Sequence, residues 1–118
     1  MTGNKPKKRK PLKTFLIPIL RHASLRWWAR TEALSRARVE RGLYKCAMCA
    51  GEFKKAEVHV DHIIPVVKVR DGFTNWDDYI NSLFVSPEEL AILCIPCHNG
   101  KSDVELELRK NYKSLTKE

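Results

Sequence analysis

Two pairs of cysteines constrain this chain more than any other feature of its sequence. The pairs are Cys46–Cys49 and Cys94–Cys97, and 44 residues lie between them. A tight turn with two intervening residues points both sulfurs at one ion, so two such turns supply the four thiolates of a tetrahedral zinc site. Four cysteine ligands leave no open coordination position, so such a zinc ion is structural. The alternatives are unrelated buried cysteines or a redox-active pair.

The length and the charge distribution narrow the class of protein. A chain of 118 residues forms one domain with a modest core, to which a bound metal would add stability. The net charge of +8 is uneven, because residues 1–13 carry +6, residues 14–57 carry +5 and residues 58–118 carry −3. This asymmetry indicates a polyanionic partner, most often nucleic acid, although a charged surface also serves solubility.

The sequence predicts no membrane segment. The apolar run over residues 15–20 is interrupted by Pro18 and is much shorter than the roughly 20 residues that span a bilayer. It also lacks a small-residue cleavage site, so a signal peptide is not expected. We therefore expect a cytoplasmic protein, in which cysteines bind metal rather than form disulfides.

The first third of the chain is predicted to be a basic arm followed by helix. Residues 1–13 have almost nothing to bury and are expected to be disordered. Residues 14–118 are predicted to form a single domain, with a helical lead-in over about 19–42 and a core over about 43–113. Apolar residues recur at helical spacing in the lead-in, and Thr31 could cap a second helix within it, so one long helix and two short ones are both open. Gly42 is predicted to end the helical region.

The rest of the chain is predicted to mix strands and helices, which gives an α+β fold. β-branched residues predict a strand over 58–64 that Pro65 ends. Asn75 is expected to cap a helix over 76–84, and Ser86 and Glu89 have the spacing of a capping box. A short strand is predicted over 43–45, and a final helix over about 97–113.

Three residues near the cysteines carry candidate chemistry. Asp61 and His62 are neighbours on a predicted strand, so they point to opposite faces and could perform different tasks. Asp61 could hold a divalent metal, and His62 could activate a water molecule. His98 directly follows the last cysteine, so the zinc site would bring it close. His59 stands two residues before Asp61, a spacing that puts both on one face of a strand, and it could assist the metal, although a structural role or a phosphate contact is favoured.

The segments Asp61-His-Ile-Ile-Pro65 and Cys94-Ile-Pro-Cys-His-Asn-Gly-Lys-Ser102, taken with the cysteine pairs, resemble the HNH endonucleases. The likeness covers about residues 43–103 and is greatest to small phage-encoded members. It implies a ββα-metal core in which His62 is the general base. It also implies that Asp61 and His98 bind a catalytic divalent ion, Mg²⁺ or another such as Mn²⁺. The implied reaction is hydrolysis of DNA phosphodiester bonds, as a nick or a double-strand break, to 3′-hydroxyl and 5′-phosphate ends.

The same resemblance implies partners and a compartment. DNA is the substrate, and phage packaging proteins are further candidate partners in the cytoplasm of a host cell. The sequence leaves the oligomeric state open between a monomer and a homodimer. The residues expected to contact the DNA backbone are Lys101 at the start of the last helix and Arg26, Arg30 and Arg38 in the lead-in.

One position departs from the HNH pattern. Glu89 stands nine residues before His98, where the family has its central Asn. Glu89 is expected to replace that residue by capping backbone amides of the turn that begins at Ser86. Two other readings stay open: a zinc-ribbon-like nucleic-acid-binding module without catalysis, and a structural adaptor of a phage packaging machine.

Overall fold

Four α-helices and five short strands make up the computed structural model, which describes residues 7–115. The predicted α+β class is confirmed, while residues 1–6 of the predicted arm lie outside the described range. Two 3₁₀ turns, Lys55–Glu57 and Pro87–Glu89, precede the strands that begin at Val58 and Leu90. The elements are α1 (Leu12–Ser24), α2 (Trp28–Ala37), β1 (Arg38–Glu40), β2 (Leu43–Lys45), β3 (Glu52–Phe53), β4 (Val58–His62), α3 (Trp76–Leu83), β5 (Leu90–Cys94) and α4 (Ile95–Leu115).

The helical lead-in differs from its predicted bounds. It begins at Leu12 rather than near residue 19, and it consists of two helices with Pro18 inside the first. Proline lacks the amide that a helix interior uses, but Ile17 and Leu20 pack against α3 and its neighbouring loop, and this burial offsets the loss. Thr31 is not the cap of α2, since the N-cap is Trp27 without a side-chain hydrogen bond.

Gly42 does not end a helix, so that prediction was wrong. Helix α2 ends at Ala37, and the chain continues as strand β1. Gly42 lies in the turn between β1 and β2 with a φ of +79°, a conformation that glycine adopts without steric cost. The β1 and β2 strands pair antiparallel across this turn, with Glu40 opposite Leu43 and Arg38 opposite Tyr44, so a short hairpin replaces the predicted end of the helix.

Two antiparallel sheets follow, and the second one carries the candidate site. Strands β1, β2 and β3 form one sheet, and β4 and β5 form a two-stranded ribbon. In this ribbon Asp61 pairs with Ala91 and His62 pairs with Leu90. Strand β4 ends at His62, two residues before the predicted end, and α4 begins at Ile95, two residues before its predicted start. Helix α4 therefore follows β5 directly.

The hydrophobic core lies between α2 and the β4–β5 ribbon. Ala29 and Ala33 of α2 are buried against Leu90 and Ile92 of β5, and small side chains on the helix allow this close approach. The Trp27 indole donates a 2.7 Å hydrogen bond to the carbonyl of Val85, which anchors the start of α2. This packing presents the opposite face of the ribbon to α4.

The predicted caps are confirmed. The Asn75 side chain accepts a 2.8 Å hydrogen bond from the amide of Asp78 at the start of α3. The Glu89 carboxylate accepts hydrogen bonds of 3.3 and 3.2 Å from the amide and hydroxyl of Ser86. These bonds use residues three positions apart, so they form from the local sequence alone.

Candidate metal centres

The four cysteines meet in one cluster, as their spacing predicts. Their sulfur atoms all lie within 4.8 Å of one another, which is a set that could hold a metal ion. The knuckle after β2 supplies the first pair, and the junction of β5 with α4 supplies the second. A backbone hydrogen bond of 2.8 Å from the Ala47 amide to the Ile92 carbonyl joins the two halves. A bound ion would therefore connect two segments that are distant in sequence, the knuckle after β2 and the junction of β5 with α4.

The environment of the cluster already favours a thiolate. Burial acts to raise the pKa of the Cys46 thiol, but hydrogen bonds from three backbone amides outweigh burial and lower that pKa to about 6. A hydrogen bond with the Cys94 thiol, followed by desolvation, raises the pKa of Cys97 to about 12. Cys46 therefore loses its proton more readily than Cys97, since the pKa of the first is lowered and that of the second is raised. A divalent ion would replace the thiol protons, because thiolate is the form that ligates metal. The amides that bond Cys46 belong to Cys49, Cys94 and Met48.

A second group of polar side chains lies where α4 packs against β4. The Nδ1 atom of His98 lies 3.5 Å from Oδ1 of Asp61, and the Nζ atom of Lys101 lies 2.5 Å from Oδ2 of the same carboxylate. The Asp61 side chain is 16% exposed and that of His98 is 29% exposed. An apolar cavity of about 300 Å³ opens beside Asp61 and Lys101, and Met48, Ile63 and Leu93 line it.

The Nδ1 atom of His98 is suited to an ion shared with Asp61. It is buried and has no hydrogen-bond partner among the described residues. Buried polar atoms are nearly always paired, so an orphaned ring nitrogen that faces a carboxylate is informative. Ligand atoms about 2.1 Å from a shared Mg²⁺ and at right angles are roughly 3 Å apart, close to the separation of these two atoms. The oxygen and imidazole donor set also suits a hard or borderline divalent ion.

His59 packs beside this group of polar side chains. It lies on the same face of β4 as Asp61, and its ring stacks on His98 with a centroid distance of 4.6 Å and an interplanar angle of 26°. The stack restrains one face of the His98 ring. The sequence indicated the shared face of His59 and Asp61, but not the contact with His98, which depends on the placement of α4.

His62 contacts a different element from Asp61. Its Nε2 atom lies 2.9 Å from the carbonyl oxygen of Leu83, the last residue of α3. A carbonyl oxygen only accepts, so Nε2 carries the proton and Nδ1 is left as the basic nitrogen of a neutral ring. A cavity of about 340 Å³ adjoins His62, and its polar lining residues include Lys68, Asn81, Ser82 and Glu89.

Glu89 supports the end of the strand that carries His62. Its backbone carbonyl accepts a 3.0 Å hydrogen bond from the amide of Ile63, directly after His62. Its side chain meanwhile closes the turn at Ser86. Of the expected capping, the side chain of Glu89 provides one backbone contact, to the amide of Ser86, while the bond from Ile63 uses the main chain of Glu89.

The predicted DNA-contacting residues do not gather at one place. Arg26 and Arg38 are exposed, while Arg30 is half-buried and its burial lowers the pKa of the guanidinium. No hydrogen bond or ion pair joins these arginines to Asp61, His62 or His98 within residues 7–115. Lys101 instead lies in the site, bonded to Asp61, to the His62 carbonyl and to Glu105.

Two partners in the site were not predicted from the sequence. Glu105 lies one helical turn after Lys101, and this spacing on a predicted helix was a usable indication of an ion pair. The Leu83 carbonyl that bonds His62 is a backbone group 21 residues away, for which no side-chain pattern exists.

Comparison with known proteins returned no relative. No protein-family model matches the chain, and no curated protein or solved structure matches it significantly. None of the helices within residues 7–115 has the length and apolar character needed to cross a bilayer. The proposed function therefore depends on the residues of this chain and their geometry.

Proposed function

We propose that this protein is a metal-dependent DNA endonuclease of the HNH type. The observation that carries the proposal is the buried, unpartnered Nδ1 atom of His98 facing Asp61 Oδ1 at 3.5 Å. Asp61 and His98 would hold the catalytic divalent ion, Mg²⁺ or Mn²⁺. When bound, such an ion stabilises the negative charge that develops on a phosphodiester and on its leaving oxygen.

The order of elements around the site supports the proposal. Strands β4 and β5 and helix α4 follow one another as strand, strand and helix, which is the order expected of a ββα-metal core. Asp61 comes from the first strand and His98 from the helix. The four-cysteine cluster lies at the junction of β5 and α4, where a structural zinc ion would hold His98 in place.

His62 is the proposed general base. Its bond to the Leu83 carbonyl holds the ring in one tautomer and leaves Nδ1 as the atom that accepts a proton from the attacking water. The end of β4 is braced by Glu89 through the Ile63 amide, so the base sits on a supported backbone. The basic residues before β4 would add attraction to the phosphates of DNA.

Plasmid nicking by the zinc-loaded, full-length protein tests this function. We expect cleavage with Mg²⁺ or Mn²⁺, ligatable ends with 5′-phosphates, and loss of both cleavage and Mn²⁺ binding in Asp61→Asn. The control is Asp103→Asn, which removes an exposed carboxylate of the same charge from α4 and should leave both unchanged. A wild-type protein that binds DNA but does not cut it with either ion would favour a zinc-dependent binding module.

A further inference from the structure

The ammonium group of Lys101 contacts three oxygen atoms inside the protein. It donates hydrogen bonds to Asp61 Oδ2 at 2.5 Å and to the His62 carbonyl at 2.6 Å. It also forms an ion pair with Glu105, with 3.2 Å between Nζ and Oε1. The side chain is only 21% exposed. A phosphate of DNA would have to displace one of these partners to bind Lys101.

The two carboxylate oxygens of Asp61 have different neighbours. Lys101 occupies Oδ2, and Oδ1 is the oxygen that faces Nδ1 of His98. Rotation about the last bond of an aspartate side chain is broad, so an untethered carboxylate would sample many orientations. The bond from Lys101 to the His62 carbonyl also fixes the peptide unit between Asp61 and His62.

We infer that Lys101 is a positioning residue that presents Asp61 Oδ1 to the metal shared with His98, rather than a contact to DNA. The inference rests on the proposed function, because it assumes that this pair binds a divalent ion. Glu105 forms an ion pair with Lys101 and offsets the lysine charge, so Asp61, Lys101 and Glu105 together carry a net negative charge that attracts a cation. Mutation of a residue that hydrogen-bonds to a metal ligand typically lowers metal affinity or activity about 10- to 100-fold.

The test compares Lys101→Met with Lys110→Met, which removes an exposed lysine from the same helix. Mn²⁺ binding is measured by calorimetry on zinc-loaded protein, and DNA affinity is measured without Mn²⁺ over a range of salt concentrations. We expect Lys101→Met to weaken Mn²⁺ binding about 10- to 100-fold. We also expect its DNA affinity to keep the wild-type salt slope, since no phosphate contact is lost. Lys110→Met should bind Mn²⁺ as the wild type does.

Several results would overturn the inference. One is unchanged Mn²⁺ affinity with a salt slope shallower by about 0.9, the change expected when one phosphate contact is lost. Another is tighter Mn²⁺ binding, which would make the ammonium a competitor of the ion. A wild-type protein that binds no second metal would also remove the basis of the inference. Glu105→Gln provides a second variant if Lys101→Met does not fold, and it should weaken Mn²⁺ binding in the same direction but less.

These results are separable from a failure of the proposed function. A protein that binds Mn²⁺ through Asp61, loses that binding in Lys101→Met and yet cuts no DNA would refute the nuclease and support the positioning role.

Discussion

Replacing His62 with alanine or with glutamine separates its catalytic role from its structural one. Both variants remove the basic nitrogen Nδ1. Alanine also removes the hydrogen bond from Nε2 to the Leu83 carbonyl, whereas the amide nitrogen of glutamine can donate to that carbonyl in its place. The two variants should therefore differ in stability and agree in activity.

The magnitudes follow from the contacts of His62. A hydrogen bond of this kind contributes about 0.5–1.5 kcal/mol to stability, so His62→Ala should lower the free energy of unfolding by about 1 kcal/mol. That loss lowers the melting temperature by roughly 4–8 °C in a domain of about 100 residues. Loss of a general base costs about 10²–10⁴-fold in rate, or roughly 2.7–5.5 kcal/mol of activation free energy. The catalytic effect should exceed the structural one.

The assay is single-turnover plasmid nicking at saturating Mn²⁺, far below the melting temperature of each variant, alongside thermal melts. His22→Ala is the matched control, because it removes an exposed histidine from α1. His62→Gln should melt within a few degrees of the wild type, bind zinc and DNA normally, and still lose at least about 100-fold in rate. Cleavage by His62→Gln at the wild-type rate would refute the assignment of His62 as the base.

Two further predictions concern the metal centres. Cys97→Ser should abolish stoichiometric zinc and unfold the domain, because binding at such sites is worth about 10–16 kcal/mol, comparable to the whole stability of a small protein; a cooperative melt at the wild-type temperature in zinc-free protein would contradict this. His59→Ala should weaken Mn²⁺ binding several-fold by freeing the His98 ring, and His59→Phe should restore it by restoring the stack. Equal losses in both variants, measured by calorimetry, would instead make His59 a ligand.

Several parts of the fold follow from residues that are close in sequence. The cysteine spacing predicts each half of the four-cysteine cluster, and β-branched residues predict the strand that carries Asp61. Asn75 and Ser86 begin their turns as expected, because each cap bonds a residue three positions away. Such features depend on local backbone geometry, which a short segment determines without the rest of the chain.

The start of α1 required the tertiary structure, whereas the end of α2 depends on a local hairpin that the helical pattern did not predict. The sequence pattern places a helix start after Pro18, but burial of Ile17 and Leu20 extends α1 back to Leu12. The sequence pattern likewise predicts a helix as far as Gly42, but residues 38–40 form a strand that pairs antiparallel with β2. At α1, long-range packing outweighs a local preference that is worth a fraction of a kcal/mol per residue. At the end of α2, a hairpin between nearby residues replaces the helix.

By itself, the sequence determined which residue types are available for chemistry and the spacing that pairs the cysteines. The tertiary structure decided which of them meet. Lys101 reaches Asp61 across 40 residues because α4 packs on the β4–β5 ribbon, and this contact engages a lysine that the sequence had suggested for DNA. His62 acquires its tautomer from a backbone carbonyl of α3. Neither the contact of Lys101 with Asp61 nor that of His62 with Leu83 follows from the spacing of residues in the sequence, because each forms only when whole helices and strands pack together.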